Sequence, residues 1–379
     1  MKHALIVTNV GGFLSKFEMN SVKILQQKGY TVHYATNFDD LLYDYDENKY
    51  NENDITLHQI EIRKNPFSMN NLVAVFQLAR VIRKNDISLI HCHTSIGGAV
   101  ARAAAKISFR KPRMIYTTHG FYFYKGAPRK NFLIFGTMEK ILARGTDAII
   151  TINREDYDYA SKMHLRNNGH VYQIKGVGVD ENRFREMPEL KTKVRDELNI
   201  PQNAFHIVSV GELNNNKNHR AVIEAISRLN DENVYYSICG EGEEKENLLK
   251  LIDSLGLEDR VKLLGYRNDV EIILQSADCF VFPSIREGFG MAAVEALSCG
   301  VPVICADNRG TREYMKNGIN GLVFEKNCVS NYKKAISKLI KKPELLNKMR
   351  KNTRESILDL TLSNTYNQIE QIYEENVGK

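Results

Sequence analysis

The chain has no C-x-x-C pair, no apolar run long enough to span a bilayer, and no short tandem repeat. Its six cysteines (Cys92, Cys239, Cys279, Cys299, Cys305 and Cys328) are scattered, several of them inside apolar segments that read as buried strands. That is the usage of a reducing compartment, with disulfides the minor alternative. The lack of a long apolar run excludes a membrane-spanning helix, and the lack of repeats excludes a solenoid. Met1 to Asn9 carries one early charge and too short an apolar stretch for a secretory signal. It reads as a first buried strand, and a cytosolic protein is expected.

What is present is ordinary in bulk. The 379 residues suffice for two domains and a substantial core. Hydrophobic residues make up 43% and charged residues 26%, as in soluble globular proteins. The net charge of +6 is modest, but residues 101–144 hold ten Lys/Arg against the single acid Glu139. Residues 39–54 are the reverse, with seven acids against Lys49. A basic stretch of this kind attracts nucleic acid, phosphates or anionic lipid.

Apolar strands alternate with amphipathic helical stretches from end to end, which implies α/β layers around parallel sheets. Strands are predicted near His3–Asn9, Thr31–Thr36, Ser88–His93, Arg113–Thr118, Asp147–Ile152 and Val171–Ile174. Helices are predicted near Ser15–Lys28, Asn70–Lys84, Ile96–Ile107 and Arg129–Ala143. Gly176-Val-Gly-Val-Asp180 breaks the rhythm, and a polar stretch follows to about Pro201. The pattern then restarts with strands near Phe205–Val210, Val234–Cys239, Val261–Leu264, Cys279–Phe282, Val303–Cys305 and Gly321–Phe324. Helices near Val329–Ile340, Glu344–Leu358 and Ser363–Glu375 close the chain. Two successive doubly wound domains are expected, with boundaries at 1–180 (plus a C-terminal helix, 360–379) and 181–359. Ligands of such domains sit beyond the carboxyl ends of the strands, so two facing domains would put the site in a cleft.

The richest motif is Ser284-Ile-Arg-Glu-Gly-Phe-Gly-Met-Ala-Ala-Val-Glu-Ala-Leu297. It places Glu287 and Glu295 eight residues apart, around a glycine-bearing turn and an apolar helix that follow a buried strand. A helix N-terminus with free N–H groups accepts anions. A carboxylate such as Glu295 in a buried helix is costly unless something bonds to it, as a ligand hydroxyl would. The plainer reading is a solvated turn and an internal ion pair. Gly211 to His219, after another strand, allows a phosphate-accepting turn with Lys217 as point charge, or a solvated loop. Gly240-Glu-Gly242 begins a dinucleotide fingerprint, but Lys245 occupies the place of the third glycine, so an ordinary tight turn is the better reading.

His119 ends a strand and precedes Gly120, a position that faces ligands in such folds. His91 and His93, at i and i+2, point the same way. A metal site is conceivable there, but no carboxylate or cysteine cluster completes it, so structural histidines are the default. Asp44-Tyr-Asp46 has the spelling of an Asp-x-Asp metal motif but lies in a polar acidic loop and reads as solvated surface. Arg129–Arg144 reads as a helix packed on its own domain with a basic, membrane-facing edge.

In this order the motifs resemble the retaining glycosyltransferases of family 4, of bacterial capsular and exopolysaccharide type, which have the GT-B fold. The resemblance covers nearly the whole chain. It rests on the Glu287–Glu295 spacing, the Gly211–Lys217 loop, Gly11-Gly12 after the first strand, and Thr118-His119-Gly120. The resemblance implies an α/β, GT-B architecture of two Rossmann-like domains facing across a cleft, with the C-terminal helix crossing back to the first. His119, Lys217 and Glu287 become the catalytic group. Gly12, Gly211, Lys217, Arg267, Glu287, Gly288, Phe289, Gly290, Met291 and Glu295 become the donor site, with Glu295 on the ribose and Arg267 near the base. One departure stands out: many members have arginine after the phosphate-loop glycine, and here that residue is Glu212.

The expected activity is transfer of a hexose or N-acetylhexosamine from a nucleotide-diphosphate sugar, a UDP-sugar by preference, to a lipid-linked saccharide. No metal or other cofactor is expected. The expected location is the cytoplasmic face of an anionic membrane, without nucleic acid as partner. The rival readings are a sugar-nucleotide epimerase of the same fold, and a nucleic-acid-binding protein that stacks bases on Phe121, Tyr122, Phe123 and Tyr124 beside the basic stretch.

Overall fold

The structure is a computed structural model and describes residues 2–41 and 45–377. The chain divides into two compact units, Met1–Val177 with Asn364–Lys379, and Gly178–Ser363.

The first unit is built on seven parallel strands: β1 (Lys2–Val7), β2 (Tyr30–Thr36), β3 (Ile55–Gln59), β4 (Ile87–His93), β5 (Arg113–Thr118), β6 (Ala148–Thr151) and β7 (His170–Gln173). Their order in the sheet is β3-β2-β1-β4-β5-β6-β7. The second unit has six: β8 (Phe205–Val210), β9 (Val234–Cys239), β10 (Val261–Gly265), β11 (Cys279–Phe282), β12 (Val303–Ala306) and β13 (Gly321–Phe324), ordered β10-β9-β8-β11-β12-β13. Every pairing is parallel. In both sheets the strand order therefore reverses between the first and fourth strands, β1 and β4, and β8 and β11. That is the switch point where doubly wound folds bind ligands.

The near-continuous apolar runs explain the central strands, which helices cover on both faces. Leu5, Val7, Ile90 and Cys92 are fully buried in one core, and Ile207, Ile238 and Val281 in the other. Strand β3 escaped the sequence reading. Its ITLHQ sequence alternates in polarity and lies at the sheet edge, half of it accessible, so no apolar run marks it. The expected helix Glu344–Leu358 is two elements, an α-helix Pro343–Asn352 and a 3-10 helix Glu355–Leu360. The helix expected at Ser15–Lys28 opens as a π turn, Leu14–Glu18, before Met19–Gln27.

The last helix runs from Leu362 to Val377. Its later turns belong to the first unit. Tyr373 Oη lies 2.6 Å from His91 Nδ1, and Arg113 donates to Asn376 Oδ1 at 2.8 Å. All six cysteines are free, five of them buried. Among the described residues no helix is long and apolar enough to cross a membrane.

The basic stretch 101–144 is less uniform than its sequence suggests. Arg102 is buried and pairs with Glu139 at 2.8 Å, while Lys106, Lys125, Arg129, Lys130, Lys140 and Arg144 are exposed. The base-stacking reading loses two of its four rings here, while Tyr122 and Tyr124 are half-buried. Phe121 and Phe123 are core residues, stacked on one another with centroids 4.7 Å apart.

Candidate functional site

In the second unit the β8 turn and the segment after β11 are stitched together at the switch point. Ile285 N donates to Asn216 O at 2.8 Å, and Asn216 Nδ2 to Arg286 O at 3.0 Å. Lys217 Nζ lies 2.6 Å from Glu287 Oε1. Lys217 N is in turn held by Asn214 Oδ1 at 2.9 Å. Gly211 lies against the lysine stem: a Cβ there would stand 3.3 Å from Lys217 Cδ and Cε. Gly240 lets the β9 turn close on this loop, because a Cβ there would fall 1.9 Å from Gly211 O. The weak fingerprint glycine therefore has a packing reason.

Gly290 caps the helix Met291–Ser298 in the left-handed region, at φ +96°. A side chain there would be strained and would also meet Phe282 at 2.7 Å and Tyr314 Oη at 2.9 Å. Tyr314 Oη donates to Gly290 O at 3.2 Å, fixing the turn. The helix is buried at Ala293, Val294, Ala296 and Leu297 but not all round, since Met291 and Glu295 are half-buried. Glu295 therefore does not stand in a dry interior, and its negative charge helps hold the Arg183 guanidinium charged. Gly290, at the helix N-terminus, lies against Phe282, and Lys217 Nζ is 5.4 Å from the Phe282 ring centroid, so both stand at the end of β11, a setting for a diphosphate.

Some residues here were missed. Arg309, nearly buried, donates from Nε to Glu287 O at 3.2 Å, and Gly310 packs on the Phe289 carbonyl. Asn327 donates to Pro283 O at 2.7 Å. Arg309-Gly310 lies in the loop after β12, separated from the strand end by two residues, a strand-then-glycine pattern looser than the one at Gly211. Glu212 is exposed. Arg267 follows the end of β10, where Gly265 O accepts from Gly240 N at 2.7 Å, and its guanidinium is forked onto Asp269 at 2.8 and 2.6 Å.

In the first unit, Gly12 has φ +77° and begins the turn into the Leu14–Glu18 π segment. Phe13 lies edge-on to His119 with centroids 5.0 Å apart. His91 and His93 do point the same way, their ring centroids 4.1 Å apart, but they do not share a metal-ligating group. His91 spends both ring nitrogens, on Tyr373 Oη at 2.6 Å and Thr117 Oγ1 at 2.8 Å. His93 instead faces His119, with Nδ1 to Nε2 at 3.3 Å, and Glu18, with Nδ1 to Oε1 at 3.3 Å. Glu18 is the carboxylate the sequence did not supply, because it lies 75 positions earlier in the chain than His93. Burial pushes its carboxyl up to about 7, against a hydrogen bond from Ser21. Burial lowers His119 to about 4, and burial with the neighbouring His91 and His119 lowers His93 well below the usual imidazole range. Thr94, the next residue, has φ +64°, a strained setting for a β-branched side chain of the kind that gathers at functional sites. Asp44 of the acidic loop lies outside the described residues.

Comparison with known proteins agrees with this construction. Residues 4–153 match the glycosyl transferase 4-like family model, and residues 191–356 the model of glycosyl transferases group 1. The chain is 34% identical to the putative glycosyltransferase EpsD of Bacillus subtilis over 98% of this chain and 96% of that one. It is 29% identical, over 77% of this chain and 75% of the other, to an Escherichia coli enzyme. That enzyme is the UDP-Gal:alpha-D-GlcNAc-diphosphoundecaprenol alpha-1,3-galactosyltransferase. The crystal structure of Anabaena HepE in complex with UDP-glucose superposes with a TM-score of 0.80 at 20% identity, covering 99% of this chain and 100% of that one. Two Rossmann-like sheets with this match define a GT-B glycosyltransferase. The chain belongs to the bacterial glycosyltransferases of family 4.

Proposed function

We propose that the chain transfers a hexose or N-acetylhexosamine from a UDP-sugar to a lipid-linked saccharide, with retention at the anomeric carbon, during assembly of a surface polysaccharide. The observation that carries the reading is the Lys217–Glu287 pair set beside the Gly290 helix N-terminus at the β8/β11 switch point. HepE, of the same fold, is described in complex with UDP and with UDP-glucose, and the Escherichia coli relative uses UDP-Gal and a diphosphoundecaprenol-linked sugar. Those facts favour uridine and a lipid-linked acceptor here.

In this reading Glu295 binds the ribose, and Glu287 with the backbone from Gly288 to Met291 contacts the sugar and phosphates. Gly12 and His119 serve the donor from the first unit. The bond from the anomeric carbon to the phosphate oxygen breaks, and its electron pair stays on the diphosphate. Lys217 and the helix N-terminus stabilise that charge. The acceptor hydroxyl forms the new bond on the same face and gives its proton to the departing phosphate oxygen. Glu287 is engaged with Lys217 and is not assigned as a nucleophile. No metal is needed at the diphosphate.

Product analysis tests this. With a UDP-sugar and an undecaprenyl-diphosphate-linked acceptor, the anomeric proton signal of the product is expected to keep the donor's configuration. An inverted product would overturn retention. An epimerised sugar nucleotide formed without acceptor would overturn transfer.

A membrane contact fits the helical stretch 129–144. Leu133 and Ile141 are 74% and 61% exposed, and Lys130, Lys140 and Arg144 are exposed nearby. Such an edge rests on anionic headgroups, each basic residue contributing about 1 kcal/mol. Changing Lys130, Lys140 and Arg144 to glutamine is expected to weaken binding to phosphatidylglycerol vesicles roughly 100-fold. Unchanged sedimentation with those vesicles would contradict the membrane contact.

A further inference from the structure

We propose that Glu18, His93 and His119 form a binding site for a divalent transition metal, zinc by its ligand chemistry, in the first unit. The three donor atoms all lie within 4.8 Å of one another. His93 Nδ1 is 3.3 Å from Glu18 Oε1 and 3.3 Å from His119 Nε2. Ligand bonds of about 2.0–2.1 Å around a tetrahedral ion set neighbouring donors about 3.3–3.4 Å apart, so two edges of a tetrahedron are already in place.

Hydrogen bonding alone leaves this cluster short. Nδ1 of a neutral His93 carries one hydrogen or one lone pair, yet it faces two neighbours at the same distance. The two must share it. A cation among the three accepts a lone pair from each. Glu18 and His93 are both buried, and a buried carboxyl group is commonly paired or bound to a metal.

The surroundings suit a ligand set. Glu18 closes a π turn, a rare distortion found at functional sites, and Ser21 Oγ donates to its other oxygen at 2.7 Å. Strain at Thr94 accompanies His93. Two histidines and one glutamate are the donor set of open zinc sites, in which water or substrate takes the fourth place. His119 is half-buried while His93 is fully buried, so the open side is that of His119. The site uses neither Lys217 nor Glu287 but shares His119 with the donor contacts of the proposed function, and metal binding to it is read without a UDP-sugar.

The test uses the tag-free full chain, stripped with a chelator and titrated with Co²⁺. Ligand-field bands in the visible that saturate at about one equivalent, and that Zn²⁺ bleaches, are expected. Glu18→Gln and His93→Asn are expected to weaken Co²⁺ binding by more than about 100-fold, beyond the loss a supporting residue causes. His164→Asn, at an exposed position, leaves it unchanged. Absence of visible bands with the folded wild type overturns the site, whatever the variants do. So does wild-type affinity in folded Glu18→Gln. A normal response to UDP in the same preparation would confine that failure to the metal.

Discussion

Lys217→Ala is expected to lower kcat roughly 100- to 1,000-fold, the loss that follows removal of one donor aimed at developing charge. Lys217 is held at the strand end from three sides: by Asn214 at its N–H, by Gly211 along its stem and by Glu287 at its ammonium. A charge fixed in advance needs no reorganisation when the leaving diphosphate forms, which is why its loss falls on kcat rather than on KM alone. Lys217→Arg keeps the charge but not the compact point geometry, and recovers activity only in part. Steady-state kinetics decide the matter. A raised KM with kcat unchanged would mean that Lys217 binds ground state and transition state equally, and would remove it from the catalytic group.

Glu139→Ala is expected to cost about 3–5 kcal/mol of stability, because it leaves the Arg102 charge buried and unpaired. The pair is almost wholly inaccessible, at 1% and 2% side-chain exposure, with 2.8 Å between Arg102 Nη1 and Glu139 Oε2. Arg102 also lies over the Tyr116 ring, 4.0 Å from its centroid, and donates from Nε to Gly98 O at 2.9 Å. Burial opposes the guanidinium charge, and Glu139, with smaller contributions from Tyr116 and Cys92, more than offsets it. Replacing both partners, as Arg102→Met with Glu139→Leu, should restore most of the loss, since apolar groups of similar volume pay no desolvation. Urea unfolding of the three variants measures this. A double mutant as unstable as the sum of the singles would contradict the argument.

Nearly all of the fold was legible because the strands are buried on both faces and written as unbroken apolar runs. β11, Cys-Phe-Val-Phe, and β12, Val-Ile-Cys-Ala, show this best. β3 was not legible, since an edge strand with alternating polarity has nothing to distinguish it from a loop. The contact between Lys217 and Glu287, on which the proposed donor site rests, has a related origin. Gly211, Lys217, Glu287 and Gly290 all lie within eight residues after the ends of β8 and β11, so short loops bring them together. The Glu18–His93–His119 cluster was hidden because its members come from three separate elements that only the sheet order brings together. The basic stretch misled in part: Arg102 looks like its neighbours in sequence, and only the facing Glu139 shows that it is a core residue.

The central claim is a nucleotide-sugar site in the second unit, and a thermal-shift comparison tests it most directly. UDP at about 100 times its dissociation constant should stabilise the folded chain by about 2.7 kcal/mol. GDP and ADP should do less at the same concentration, and Glu295→Ala should lose the UDP response while remaining folded. A UDP shift equal in wild type and Glu295→Ala would take the donor site away from that helix. A well-folded wild type indifferent to every nucleotide would contradict the account.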